Sequence, residues 1–181
     1  MSNKRSLRGF TLVEILVVVT ILGIAAAIVV PQMGSRGDLK AAAAARMIMA
    51  DLIYAQNRAI ATQTKHYVTF SAGTTPQTYR LVTSMTPLVD VTHPITKASN
   101  YLITFGNNGT PGLSDISLGT INIEGKTTIA FDELGVPYYY DSVANTTTAL
   151  TVSGGSTIQV VSGTFTLTIS VEPYTGEIKV N

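Results

Sequence analysis

From Phe10 to Val30 the sequence reads FTLVEILVVVTILGIAAAIVV, 21 residues that carry a single charge, Glu14. At ~1.5 Å of rise per residue a helix of that length spans about 30 Å, the hydrocarbon thickness of a bilayer. The run is apolar on every side, so it does not fit the one-faced pattern of a helix that covers a soluble core. Lys4, Arg5 and Arg8 precede it, and no comparable basic cluster follows closely. That asymmetry holds the N-terminus in the cytoplasm and sends the rest of the chain outward. The run predicts a single-pass membrane segment.

A secretory signal would end in a small-residue cleavage site after its apolar region. Ala25-Ala26-Ala27 fits loosely, but the apolar region continues through Ile28-Val29-Val30. A plain membrane anchor leaves Glu14 unexplained. A carboxylate in hydrocarbon costs about 2.5–3.5 kcal/mol on insertion scales, so an intramembrane Glu marks function.

Outside this run the chain changes character. Of its 181 residues 13% are charged, and the formal net charge is +1. Without the first nine residues there are nine Lys and Arg against eleven Asp and Glu, a charge of −2. A slightly acidic body offers no electrostatic basis for binding nucleic acid or anionic lipid. Cysteine is absent, which excludes disulfides, thiolate metal sites and cysteine nucleophiles.

Gly9-Phe10-Thr11-Leu12-Val13-Glu14, after a short basic leader and before an apolar run closed by Pro31, resembles the class III signal of type IV prepilins and type II secretion pseudopilins. The resemblance implies cleavage after Gly9 by a prepilin peptidase and N-methylation of the new terminus, Phe10. It implies that Glu14 neutralises the Phe10 amine of a neighbouring subunit as it docks. The chemistry agrees. A cationic amine at the edge of an apolar helix needs a counter-charge, and a carboxylate four residues on lies one helical turn away.

Pro31 is expected to break or kink the helix, and Gly34 and Gly37 weaken the same stretch. Asp38 then reads as the N-cap of a second helix reaching about Thr62. Ala41, Ala45, Ile48, Met49, Leu52, Ala55 and Ala59 share one face of it, with Lys40, Arg46, Asn57 and Arg58 turned away. That stripe predicts packing on a sheet.

After Thr64 come short alternating runs bounded by turn residues. The expected strands are 66–70, 79–83, 101–105, 116–123, 127–131, 137–140, 149–152, 157–161, 164–171 and 177–180. Turn signals include Asn107-Asn108-Gly109, Asp132-Glu133-Leu134-Gly135, Gly154-Gly155 and Pro173-Tyr174-Thr175-Gly176. The fold class expected is α+β, pilin-like, with a long N-terminal helix, membrane-spanning in its first half, on antiparallel sheets. The expected divisions are a leader (1–9), a transmembrane and polymerisation helix (10–37) and a globular domain (38–181).

The segment from Asp51 to Ile60, the strand through Val68 and Phe70, Ile129-Ala130-Phe131-Asp132 with Gly135, and Thr175-Gly176-Glu177-Ile178 are together similar to GspH/FimT-type minor pseudopilins. The small calcium loop of major pseudopilins and the cysteine pair of many type IV pilins are not visible. The resemblance implies a non-enzymatic filament subunit in the bacterial inner membrane, its globular domain periplasmic. Its partners would be other pilin-like subunits, the prepilin peptidase and the inner-membrane assembly platform.

An alternative is a DNA-binding minor pilin of a DNA-uptake system. It needs a Lys/Arg stripe, whereas the last segment offers Lys179 beside Glu172 and Glu177. No cofactor or metal site is expected. His66 and His93 lack ligand spacing and read as satisfied or exposed, and Asp132, Glu133 and Asp141 read as solvated turn residues. Asn108-Gly109-Thr110 and Asn145-Thr146-Thr147 match the short glycosylation triplet. No phosphate loop or nucleophile elbow occurs.

Overall fold

A computed structural model describes residues 10–32, 37–107 and 109–181, with the side chains of 29–32 left out. Gly9, Gly34 and the middle of the Asn107-Asn108-Gly109 turn lie outside the described residues. The chain divides into two units, Met1–Arg36 and Gly37–Asn181.

The first unit holds α1 (Leu12–Gln32). Its backbone is helical through Pro31, which places the end of α1 one residue beyond the proline. The eleven Leu, Ile and Val side chains described in it are each at least 47% exposed and face every direction. Among the described residues no helix is long and apolar enough to cross a membrane. The side chains of α1 are described only as far as Ile28, short of the ~20 apolar residues that a crossing needs. A membrane-spanning first half therefore remains a reading of the sequence.

The second unit opens with α2 (Gly37–Thr62). The N-terminal helical region is thus two helices and not one long one. Asp38 falls inside the first turn of α2 and not ahead of it. Its carboxylate complements the helix dipole there instead of capping. Gly37 is needed for close approach, because a Cβ would lie 2.9 Å from the Ser162 carbonyl oxygen and 3.0 Å from the Phe165 ring.

Eleven strands follow: β1 (His66–Ser71), β2 (Thr78–Met85), β3 (Leu88–Asp90), β4 (Tyr101–Thr104), β5 (Ser117–Ile123), β6 (Thr128–Phe131), β7 (Pro137–Asp141), β8 (Thr146–Ala149), β9 (Ser156–Ser162), β10 (Phe165–Val171) and β11 (Ile178–Val180). A seven-stranded sheet has the order β3-β2-β1-β6-β7-β8, with β4 also paired to β2; a four-stranded sheet has the order β11-β10-β9-β5. Every pairing is antiparallel. The α+β architecture with antiparallel sheets is as the pattern predicted.

The helix α2 packs on β1 and β6 of the larger sheet and on β9, β10 and β11 of the smaller one. Ala41, Ala45, Ile48, Leu52, Ala55 and Ala59 of the expected stripe are fully buried. Ala44 and Asp51 are buried as well, while Met49 is half-buried at the margin. Ala-rich spacing lets the helix axis approach the sheets closely, and Val68, Ile129, Ile158 and Ile169 fill the facing layer.

Two strand expectations need correction. The three-residue strand β3, just after Pro87, is too short to show an alternation. The strand expected at 149–152 is β8, three residues earlier. The reason is Glu124, whose Oε1 accepts the backbone N–H of Thr151 at 2.6 Å and of Val152 at 2.8 Å. A side chain thus takes the donors that a neighbouring strand would have taken.

Candidate functional site

Phe10 stands just ahead of α1 and is 77% exposed. Thr11 caps the helix: its Oγ1 accepts the N–H of Glu14 at 3.2 Å, and its carbonyl accepts the N–H of Ile15 at 3.2 Å. Thr11-Leu12-Val13-Glu14 is the T-x-x-E spacing of a capping box, a signal set inside the apolar run. Glu14 is thereby fixed in the first turn, where the helix dipole favours a negative charge.

The two described polar side chains of α1 behave differently. Thr20 turns its hydroxyl back to the Leu16 carbonyl at 2.7 Å, which satisfies it inside its own helix. The exposed Glu14 carboxylate has no partner among the described residues. So, among the described residues, α1 presents one charge without a counter-charge, one turn from Phe10, on an otherwise apolar run. Gly9 lies outside the described residues, and the Pro31 side chain is not described.

The segments similar to GspH/FimT-type subunits are brought together by Gln56 of α2. Its Nε2 donates to the Gly135 carbonyl at 2.9 Å and lies 3.5 Å from the Gly176 carbonyl. Gly135 and Gly176 have φ of +81° and +65°. A Cβ on Gly176 would sit 2.4 Å from Gln56 Nε2 and 2.9 Å from the Gly135 carbonyl oxygen. Asp132 completes the first turn, its Oδ1 accepting the N–H of Leu134 at 3.0 Å and of Val136 at 2.8 Å. It is buried, contrary to the expected solvated turn residue, because its carboxylate satisfies those two backbone donors. Asp141 pairs with Lys126 at 2.7 Å and also accepts the N–H of Val143, which holds its carboxyl below the usual range.

Asp51 is the buried charge that the stripe hid. Its carboxylate accepts the Tyr79 hydroxyl and, at 2.7 Å, the Tyr101 hydroxyl. Burial pushes the Asp51 carboxyl up, while these two hydrogen bonds oppose the shift. Burial and the adjacent carboxylate raise both phenols. His93 stacks on Tyr101 at 4.3 Å, and its Nδ1 accepts the N–H of Ile95 at 3.2 Å and of Thr96 at 3.3 Å.

The position of His66 corrects another expectation, since it is buried and only half satisfied. Its Nδ1–H donates to the Thr64 carbonyl at 3.0 Å, whereas Nε2 has no partner among the described residues. Burial pushes its pKa down, so the neutral ring is favoured. No cluster of His, Cys, Asp and Glu fit to hold a metal occurs among the described residues. Lys179 is engaged by Glu177 at 3.1 Å and Glu172 at 3.9 Å.

A capped, apolar N-terminal helix with one acidic group in its first turn defines a class, and comparison with known proteins agrees with it. Residues 4–30 match the prokaryotic N-terminal methylation motif. The chain is type IV pilin-like in this N-terminal segment. It is similar to the type II secretion system core protein G of Pseudomonas aeruginosa, 56% identical over an alignment of 53 residues that covers 24% of this chain and 37% of the relative. The chain thus spans little more than a third of the length of that curated relative. No solved structure matches.

Proposed function

We propose that this chain is a structural, non-enzymatic subunit of a type II secretion or type IV pilus-like filament, processed after Gly9 and assembled through α1. The observation that carries the reading is the form of α1: eleven large apolar side chains exposed on all sides, and one carboxylate in the first turn with no partner among the described residues. Each such side chain gains about 1.5–3 kcal/mol when fully buried, so the helix strongly favours an apolar cover. Lipid supplies one before assembly and the helices of other subunits supply one after it. The sequence continues the apolar run through Val29-Val30, which supports single-pass insertion in the inner membrane with a periplasmic body.

Glu14 gives the transfer direction and register. Cleavage exposes an amine at Phe10, and N-methylation leaves that amine cationic. The amine of an incoming subunit loses its hydration among apolar helices, and only a carboxylate at a fixed axial offset restores its balance. Thr11 holds that offset by capping the helix at Leu12.

The minor-subunit reading is supported by Gln56, which joins the turns at Gly135 and Gly176 in the segments similar to GspH/FimT-type proteins. The similarity to core protein G covers 24% of this chain and leaves most of the body unmatched.

Intact mass of the membrane-extracted protein tests the processing. The expected product lacks residues 1–9 and carries one added methyl at Phe10, and Gly9→Leu blocks the cut. A chain still beginning at Met1 in cells with active prepilin peptidase overturns the reading.

A further inference from the structure

The face of the larger sheet turned away from α2 carries a small, built pocket. Strand alternation puts Tyr67 on this face, and the register sets Val82 and Ala130 beside it on β2 and β6. Both neighbours are 0% exposed although they face away from the core. The Tyr67 and Tyr140 rings meet edge-on, 5.7 Å between centroids and 78° between planes. Beyond them the β2–β3 and β7–β8 turns come together, and Thr86 Oγ1 donates to Asn145 Oδ1 at 3.3 Å. A cavity of about 170 Å³ lies among Tyr67, Ser84, Thr86, Tyr140, Asn145 and Thr146.

The chemistry of this lining is selective. It consists of two aromatic rings, four aliphatic hydroxyls, the Met85 thioether and an amide, with no ionised side chain. The nearby charges already have partners, Lys65 at the hydroxyl of the lining residue Thr147. Lys65 donates to Thr147 Oγ1 at 2.9 Å and lies 5.2 Å over the Tyr138 ring. Asp141 is paired with Lys126. An anion would have to draw Lys65 away from Thr147 and the Tyr138 ring, and a purely apolar ligand leaves the hydroxyls unpaired.

The amide is also fixed in orientation. Asn145 Oδ1 accepts the Tyr140 hydroxyl at 2.7 Å as well as that of Thr86, which leaves Nδ2 as a donor without a partner among the described residues. A left-handed backbone at Asn145, φ +54°, holds the side chain at this spot.

We infer that this pocket binds a neutral, hydroxyl-bearing ring, that is, one pyranose unit of a carbohydrate. The rings of Tyr67 and Tyr140 offer apolar surface to the C–H groups of a sugar. Asn145 Nδ2 donates to a sugar oxygen, and the hydroxyls of Ser84 and Thr146 both donate and accept. The volume otherwise holds roughly five waters at ~30 Å³ each, which a single ring displaces together.

The test is saturation-transfer NMR on the full chain in phosphocholine micelles, which contain no sugar. Methyl β-D-glucopyranoside and N-acetylglucosamine serve as probes, with inorganic phosphate as competitor. Transfer to the ring protons of at least one sugar is expected, unaffected by phosphate at equal ionic strength. Tyr140→Ala should abolish it. Asn145→Gly retains the left-handed backbone, removes the amide and should weaken binding roughly fivefold, the worth of one hydrogen bond. Where Tyr140→Ala fails to fold, Asn145→Gly and Ser84→Ala decide. Absence of transfer in the unaltered chain, competition by phosphate, or equal transfer in the folded variants overturns the inference and leaves a water-filled cleft.

Discussion

The helices α1 and α2 are consecutive and of similar length, 21 and 26 residues, yet they solve opposite problems. In α2 the apolar side chains form a stripe, and the stripe is buried by two sheets of the same chain. In α1 they face all directions, and every one described is exposed. The first arrangement completes a fold, whereas the second leaves its described apolar side chains uncovered. Even the polar groups differ in the same sense. Asp51 of α2 receives two tyrosine hydroxyls from its own sheet, while Glu14 of α1 finds no partner among the described residues. One helix is stabilised within the chain, and under the proposed function the other is used outside it.

The sharpest way to break this contrast is to separate the two. Residues 37–181 expressed alone should leave the membrane fraction entirely, remain folded and be mainly monomeric, because among the described residues the buried apolar core lies beyond residue 36. The fragment should begin at Gly37, which is buried against the β9–β10 turn. Sedimentation and a cooperative thermal transition check this. Aggregation at low concentration would show that α1 contributes to the fold of the body.

Next in size is the effect of Glu14 on assembly. Glu14→Ala should leave leader removal and membrane insertion intact, since it takes a costly carboxylate out of lipid. Incorporation into filaments should fall by about tenfold or more, because a buried amine without its partner costs several kcal/mol. Glu14→Gln keeps shape but not charge and should be nearly as damaging. The ratio of subunit in sheared filaments to subunit in membranes measures the effect, and equal ratios in all three chains would make Glu14 a bystander.

Within the body, Gly176→Ala should destabilise by roughly 2–5 kcal/mol. Left-handed backbone costs a β-carbon about 1–2 kcal/mol, and displacing the Gln56 amide leaves buried carbonyls unsatisfied at about 1–3 kcal/mol. Gln56→Ala loses only the second part and should cost less. Denaturant midpoints of the two variants rank them, and a reversed order would mean that the turn does not depend on close packing against α2.

Much of this was legible in the sequence, and what was missed has a common cause. Periodicity identified both helices and placed nine of the eleven strands to within about two residues, since period 3.6 and period 2 are local properties. The stripe even put position 51 beside Ile48, Leu52 and Ala55. It did not single out Asp51, because the Tyr79 and Tyr101 hydroxyls that make its burial tolerable lie 28 and 50 residues away. The displaced β8 and the buried Asp132 follow the same logic. In each a carboxylate takes backbone donors, and composition gives no sign of which carboxylate will do so. At the head of α1 the signal was local and present: Thr11-x-x-Glu14 announces the cap, although the carboxylate itself drew the attention.

The smallest effect is electrostatic and concerns the buried partner in the opening comparison. Burial raises the Asp51 pKa above its ordinary value of 3.8, so the folded chain holds a proton there more tightly than the unfolded chain does. The contribution of this group to stability is therefore complete below pH 3.8 and is lost as pH rises from there through the folded pKa, beyond which it is flat. Asp141 works in the opposite direction. Its pKa is lowered by Lys126 and by backbone N–H groups, and its contribution, present above pH 3.8, fades as pH falls through its folded pKa. A single melting curve mixes the two, so the useful quantity is the stability of the unaltered chain minus that of Asp51→Asn across the acid range. That difference should shrink steadily as pH rises from 3.8 and then level off. Tyr101→Phe should move the levelling point to higher pH, because the hydroxyl it removes is one of the two groups that favour the carboxylate. A difference independent of pH would mean that Asp51 keeps an ordinary carboxylate pKa and that its two tyrosine hydrogen bonds fully offset its burial.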